Sequence, residues 1–131
     1  MTNKTPNTKL QTPNNQVEKH PFDLVERTTQ FGEAVLLFTK SITPTITTKV
    51  LIVQIIRSGT SIGANYMEAD GAESPKDFRH IVARCKKEAK ETRYWLHMFS
   101  IVCADDLKEQ LRTLWKEADE LTRIFASMMK K

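Results

Sequence analysis

From Ser74 to Cys103 the chain carries Phe78, Ile81, Cys85, Ala89, Thr92, Leu96 and Phe99 at steps of three and four, with no Pro or Gly after Pro75. That spacing puts one apolar stripe along a helix. Thirty residues at 1.5 Å each make a rod of about 45 Å. Such a stripe is hidden only against partners of similar length. The start is also written locally. Ser74 can accept from the next turn's amides, Pro75 fits the first helical position, and Asp77 stands where an acid favours the positive end of the helix.

Three further stretches repeat the pattern. Leu24, Thr28, Phe31, Val35, Phe38 and Ile42 alternate four- and three-residue steps from a start near Pro21. Ser41-Ile42-Thr43-Pro44 interrupts them, and Thr43 with Pro44 predicts a new cap and first turn. Ile46, Val50, Val53, Ile56, Thr60, Gly63 and Met67 then mark one face. Gly59 and Gly63 lie four apart on that helix, at a propensity cost of up to about 1 kcal/mol each; close approach of a neighbouring backbone would offset it. The pattern fades near Gly71. Asp105 or Asp106 is expected to cap a last helix bearing Leu107, Leu111, Leu114, Ala118, Leu121, Phe125 and Met128, widened by Trp115 and Ile124. The reading is all-α: an antiparallel up-down-up-down four-helix bundle over residues 21–131, with helices at about 21–41, 44–71, 75–103 and 106–129. Residues 1–20, rich in Thr, Asn, Pro and Lys, are expected to be a disordered polar tail.

Composition narrows the class of function. No run of about 18 uncharged apolar residues is present, so no membrane span is expected. The first 20 residues lack the apolar core of a secretory signal. Cys85 and Cys103 lie 18 positions apart on one helix, about 27 Å, too far to bridge within the chain. Reduced thiols and a cytoplasmic setting are the expectation.

Signatures of catalysis are missing. A di-iron bundle site needs a Glu-x-x-His on each of two helices, and no Glu here has a His three residues on. Neither cysteine sits in a turn that would lower its pKa, and Gly59 and Gly63 lack the Lys-Ser/Thr ending of a phosphate loop. No enzyme activity, metal or cofactor is expected.

Two polar rows flank the stripes. Arg57, Ser61, Asn65 and Glu68 share a face of the second helix; Arg84, Glu88 and Glu91 do so on the third. They read as a structural network of cross-paired acids and bases between those helices, or as partly hydrated flanks that set register. A ligand pocket is the competing use.

The net charge is +4, and its placement matters more than its size. Residues 75–104 hold seven basic and three acidic side chains. Lys76, Arg79, Lys86, Lys90, Arg93 and His97 fall within about 100° of arc opposite the apolar stripe and extend about 30 Å. Such a ridge could follow several phosphates of RNA or DNA; it could also be a solvated face and nothing more. Aromatics for stacking are few beside it: Tyr94 and Trp95 flank Arg93, with Trp95 nearer the core. Tyr66, Tyr94, Trp95 and Trp115 are alternatively anchors of a subunit interface. Ile52, Ile55 and Ile62 form a second apolar seam on the second helix, which points to self-association.

The segment RSGTSIGANYMEADGAESPKDF, followed by KKEAKETRYWL, resembles the 23S rRNA intervening-sequence proteins. The resemblance rests on Ser-Gly-Thr-Ser-Ile-Gly-Ala-Asn at 58–65, Glu68, Ser74 with Asp77-Phe78, and Glu88-Ala89 with Glu91-Thr92. It covers roughly Phe22 to Met128; the polar stretch before Pro21 departs from the family's usual short start. It implies a four-helix bundle assembled as a ring, a homopentamer, with no enzyme activity. The family is also similar in architecture to the accessory protein of diversity-generating retroelements, a basic pentameric barrel that binds nucleic acid. The expected function is therefore a non-enzymatic oligomer that binds RNA or DNA through the basic face of the third helix. The rival is a scaffold for a protein partner.

Overall fold

The computed structural model describes residues 23–130, and the expected tail at 1–20 lies outside them. Four helices account for most of the described chain: α1 (Leu24–Lys40), α2 (Ile46–Tyr66), α3 (Pro75–Ser100) and α4 (Lys108–Met129). No strand occurs among the described residues. Contacting pairs run in opposite senses along neighbours. Thr28 meets Gly63 while Val35 meets Gly59; Ser58 meets Thr92 while Ile62 meets Cys85. Both of these packed pairs are thus antiparallel, as short connections require.

Local chemistry sets the boundaries. α3 begins as its sequence specifies: the Asp77 amide donates to Ser74 Oγ at 3.0 Å with Pro75 in the first turn, and the Glu73 amide donates to the Asp77 carboxylate, also at 3.0 Å. It ends at Ser100, not Cys103. α1 begins at Leu24 under the cap of Asp23, whose carboxylate accepts from the Glu26 amide at 3.3 Å; the expected start at Pro21 lies outside the described residues.

Two starts differ from expectation. α2 is capped by Thr45, not Thr43. Thr45 and Thr48 exchange reciprocal side-chain–backbone bonds, and the Thr48 hydroxyl also donates to the Thr43 carbonyl at 2.8 Å. This capping box satisfies two amides and outweighs Pro44's preference for the first turn. At α4 neither aspartate caps the helix. Asp105–Leu107 form a 3-10 turn that feeds into Lys108. The α-helix of α2 stops at Tyr66, and Met67–Gly71 continue it to Gly71 as a tighter 3-10 helix.

The core follows the expected stripes on α1, α3 and α4. Phe38 and Phe99 meet edge to face at its centre, ring centroids 5.8 Å apart. On α2 the expectation holds only in part: Gly63 of the expected face is buried and Ile56 and Thr60 are half-buried. Ile55 and Ile62, read as a second seam, are fully buried with Ser58, Gly59 and Gly63. Ile46, Val50, Val53 and Met67, read as the core face, are 89%, 61%, 60% and 65% exposed. Apolar residues occupy both faces of α2, so periodicity alone could not choose between them. The glycines decide: only the Gly59–Gly63 face lets α1 come this close.

The α1/α4 seam is the loosest of the four. A groove of ≈ 440 Å3 opens along it beside Phe31 and Leu114. Arg27 crosses it as a fork, Nε to Glu117 at 2.7 Å and Nη2 to the same carboxylate at 2.9 Å. The Glu117 bond holds the Arg27 guanidinium above its ordinary pKa.

Candidate nucleic-acid interface

α3 places its row of cations on the flank away from α2. Lys76, Arg79, Lys90 and His97 are exposed, and Lys86 is half-buried. None of these five has an ion-pair partner among the described residues. Most arginines behave differently. Arg27, Arg57, Arg84, Arg93 and Arg123 are each held by a carboxylate.

Arg93 must therefore be taken out of the row. Its Nη1 donates to Asp119 of α4 at 2.5 Å, and Arg123 donates to the other oxygen of that carboxylate at 3.1 Å. These bonds, Arg93's first, hold the Asp119 carboxyl below the usual range. Arg93 also lies 6.0 Å from the centroid of the Trp115 indole, at the outer limit of a cation–π contact. Sequence spacing could not reveal this, because the acid comes from another helix.

α4 adds cations that spacing on α3 alone misses. His97 and Ser100 of α3 share a cleft of ≈ 420 Å3 with Lys108, Arg112 and Trp115 of α4. Arg112 is exposed and has no ion-pair partner among the described residues, whereas Lys116, also exposed, lines the groove on the α1 side of α4. The signal was present on α4 itself: Lys108, Arg112 and Trp115 follow a four-three step beside the apolar stripe. The basic surface thus spans two helices.

The second set of polar residues lies on the opposite flank of α3, against α2. Arg57 reaches Glu91 at 2.6 Å and Glu88 at 3.4 Å, and Arg84 reaches Glu68 at 2.9 Å. Ser61 turns back to the Arg57 carbonyl at 2.6 Å, so it joins no cross-helix bond. Asn65 is half-buried and makes no side-chain hydrogen bond among the described residues. Sequence reading overlooked the buried member of this seam: the Thr92 hydroxyl lies 2.9 Å from Ser58 Oγ and 2.8 Å from the Glu88 carbonyl, while Ser58 donates to the Gln54 carbonyl at 2.9 Å.

The aromatics divide. Tyr66 packs on Phe125 of the core, centroids 5.8 Å apart. Trp95 faces the α2 flank, its Nε1 3.4 Å from Glu91, with the exposed Tyr94 edge-on to it. Trp115 lines the cleft between the α3 and α4 cations. Both thiols are buried and raised in pKa by that burial, Cys85 to about 12. Among the described residues no three His, Cys, Asp or Glu side chains converge as a metal set. No helix of the described chain is long and apolar enough to cross a membrane.

The sequence model of the family described as 23S rRNA-intervening sequence protein matches residues 21–127. The chain belongs to that family. A crystal structure of a protein of unknown function from the S23 ribosomal protein family of Bacteroides thetaiotaomicron superposes with a TM-score of 0.69. It is 28% identical, over 82% of this chain and 99% of that one. No curated protein matches. The family's description names a gene context and no activity, so the function of this 23S rRNA-intervening sequence protein has to be argued from its surfaces.

Proposed function

We propose that the chain is a non-enzymatic, self-associating bundle that binds RNA or DNA through the α3/α4 basic face. One observation carries this reading. In a protein that pairs most of its arginines with carboxylates, Lys76, Arg79, Lys86, Lys90 and His97 line one 30 Å flank with no ion-pair partner among the described residues. Lys108 and Arg112 of α4 extend the same surface. A cation face of this reach suits phosphates, whose displaced counterions make the affinity strongly salt-dependent.

Filter binding of a structured RNA and a DNA duplex across a salt series tests it. The slope of log K against log salt should be about −0.9 for each phosphate neutralised. The triple variant Arg79→Gln, Lys86→Gln, Lys90→Gln should flatten it by two to three such increments. Absence of binding at low salt, or a slope the triple variant leaves alone, would overturn the reading.

Self-association rests on a different surface. Ile46, Val50 and Val53 stand in solvent on α2, and Leu36 on the neighbouring α1 is exposed as well. Solvated apolar residues gathered along one helix face are a common mark of a subunit contact. A second copy of the chain is the proposed occupant, which leaves the α3/α4 face turned outward. A protein scaffold with no nucleic-acid role is the rival, and the α2 stripe would serve it equally. Loss of captured partners on nuclease treatment separates the two.

A further inference from the structure

We infer that the cleft between α3 and α4 takes an unpaired nucleotide, its base stacked on Trp115 and its phosphate held by Arg112 and Lys108. This deepens the nucleic-acid reading and rests on it.

Trp115, unlike Tyr66 and Trp95, is held by neither the core nor the α2/α3 seam, and unlike the exposed Tyr94 it lines a cleft. It belongs to the last helix's stripe, yet it is 36% exposed and lines the cleft with His97, Lys108 and Arg112. The ring is braced. Asp119 fixes Arg93, and the Arg93 guanidinium lies over the indole. A braced, partly exposed indole loses little freedom when a base stacks on it, and stacking tolerates any base.

The polar groups around it suit a nucleotide's other half. Arg112 is exposed with no ion-pair partner among the described residues, and a guanidinium can grip two phosphate oxygens at once. Lys108 lies 3.7 Å from Asp105, whose side chain is fully exposed; so weak a surface pair yields readily to a phosphate. His97 and the Ser100 hydroxyl add hydrogen-bonding edges, although Ser100 already donates to the His97 carbonyl at 2.6 Å. Leu96 and Leu111 floor the cleft with apolar surface. A duplex keeps its bases stacked inside and cannot present one here, so this cleft should add a preference for single strands to a face that otherwise reads only charge.

The test uses the full chain with Trp95→Phe, which leaves Trp115 as the single indole. Titration with twelve-residue oligo(U) or oligo(dT) should quench its fluorescence, and a duplex of the same length should quench it several-fold less. Trp115→Ala should weaken single-strand binding about 5- to 100-fold and leave duplex binding unchanged. Arg112→Gln, which keeps the indole, should weaken both the oligomer and uridine monophosphate. Equal quenching by duplex and single strand, or a single-strand affinity untouched by Trp115→Ala, would overturn the inference while leaving a charge-reading face intact. Absence of binding to either strand form would remove both. Quenching by the mononucleotide as strong as by the oligomer would replace a nucleic-acid site with one for free nucleotides.

Discussion

A Cβ added to Gly63 would stand 3.3 Å from the backbone carbonyl carbon and oxygen of Thr28. Relieving that contact would take a shift of the Thr28 backbone by a few tenths of an ångström. Gly59 makes a similar approach to Val35, but what lies 3.0 and 3.1 Å away is a pair of methyl groups.

Gly63→Ala should therefore destabilise the bundle despite alanine's better helix propensity. The gain in propensity is about 1 kcal/mol, against about 1–3 kcal/mol for overpacking. Gly59→Ala should cost a comparable amount, because the Val35 methyls belong to a fully buried, β-branched side chain with little freedom to turn. Urea midpoints at one protomer concentration would compare the two. A Gly63→Ala protein as stable as the wild type would contradict the close approach.

The exposed α2 stripe yields a prediction about mass. Val50→Glu with Val53→Glu puts two charges on residues that are 61% and 60% exposed, so the fold should survive with its helicity unchanged. An assembly built on that face should not. Light scattering should fall from a multiple of the chain mass to 15.1 kDa. An unchanged oligomer would move the interface elsewhere, and a wild-type protein already at the chain mass would end the proposal.

Asp119 links acidity to the basic face. Its pKa is depressed by Arg93 and then Arg123, so its contribution to stability is present above the ordinary carboxylate range. That contribution is lost as pH falls through the lower, folded-state value. Losing it frees Arg93 from the indole, and Trp115 emission in the Trp95→Phe background should shift at that pH. Asp119→Asn should abolish the acid transition and, at neutral pH, steepen the salt slope of binding by about 0.9 as Arg93 joins the face. An acid transition that persists in Asp119→Asn would assign it to another group.

Cys85 should be inert to thiol reagents in the native protein. Burial pushes its pKa to about 12, leaving almost no thiolate at neutral pH, and its Sγ lies 3.6 Å from the Ile62 carbonyl inside the α2/α3 seam. Cys103, at the end of the bundle, is raised as well but less enclosed. Alkylation followed by mass spectrometry should label Cys103 first and Cys85 only on the timescale of global unfolding. Rapid labelling of Cys85 would mean that the seam opens locally.

What the sequence made legible follows one physical distinction. Features settled within a turn or two were readable: the Ser74–Pro75–Asp77 start of α3, and the stripe Leu24 to Ile42, which is buried throughout. Features that depend on which neighbour meets which face were not. The face expected for α2 was right at Gly63 and wrong at Ile46, Val50, Val53 and Met67, because apolar residues lie on both sides and only the packing of Gly59 and Gly63 on α1 decides between them. Arg93 looked like a member of the cation row because its acid, Asp119, is 26 residues away on α4. The cation surface was legible on α3 and incomplete without Arg112.

The α2/α3 seam offers a last test, of whether its outer ion pairs or its inner hydroxyls hold register. Arg57 with Glu88 and Glu91 is the more conspicuous set, but the Arg57 side chain is 42% exposed, and exposed pairs contribute about 0–1 kcal/mol. Ser58 and Thr92 are fully buried, and their hydroxyls have no water to turn to. A double-mutant cycle of Ser58→Ala and Thr92→Val should give a coupling of about 1 kcal/mol, insensitive to salt. Arg57→Leu should cost less than that and should lose its effect in high salt. If the order is reversed, with Arg57 dominant and the hydroxyl coupling near zero, register is set at the rim of the seam and not at its centre.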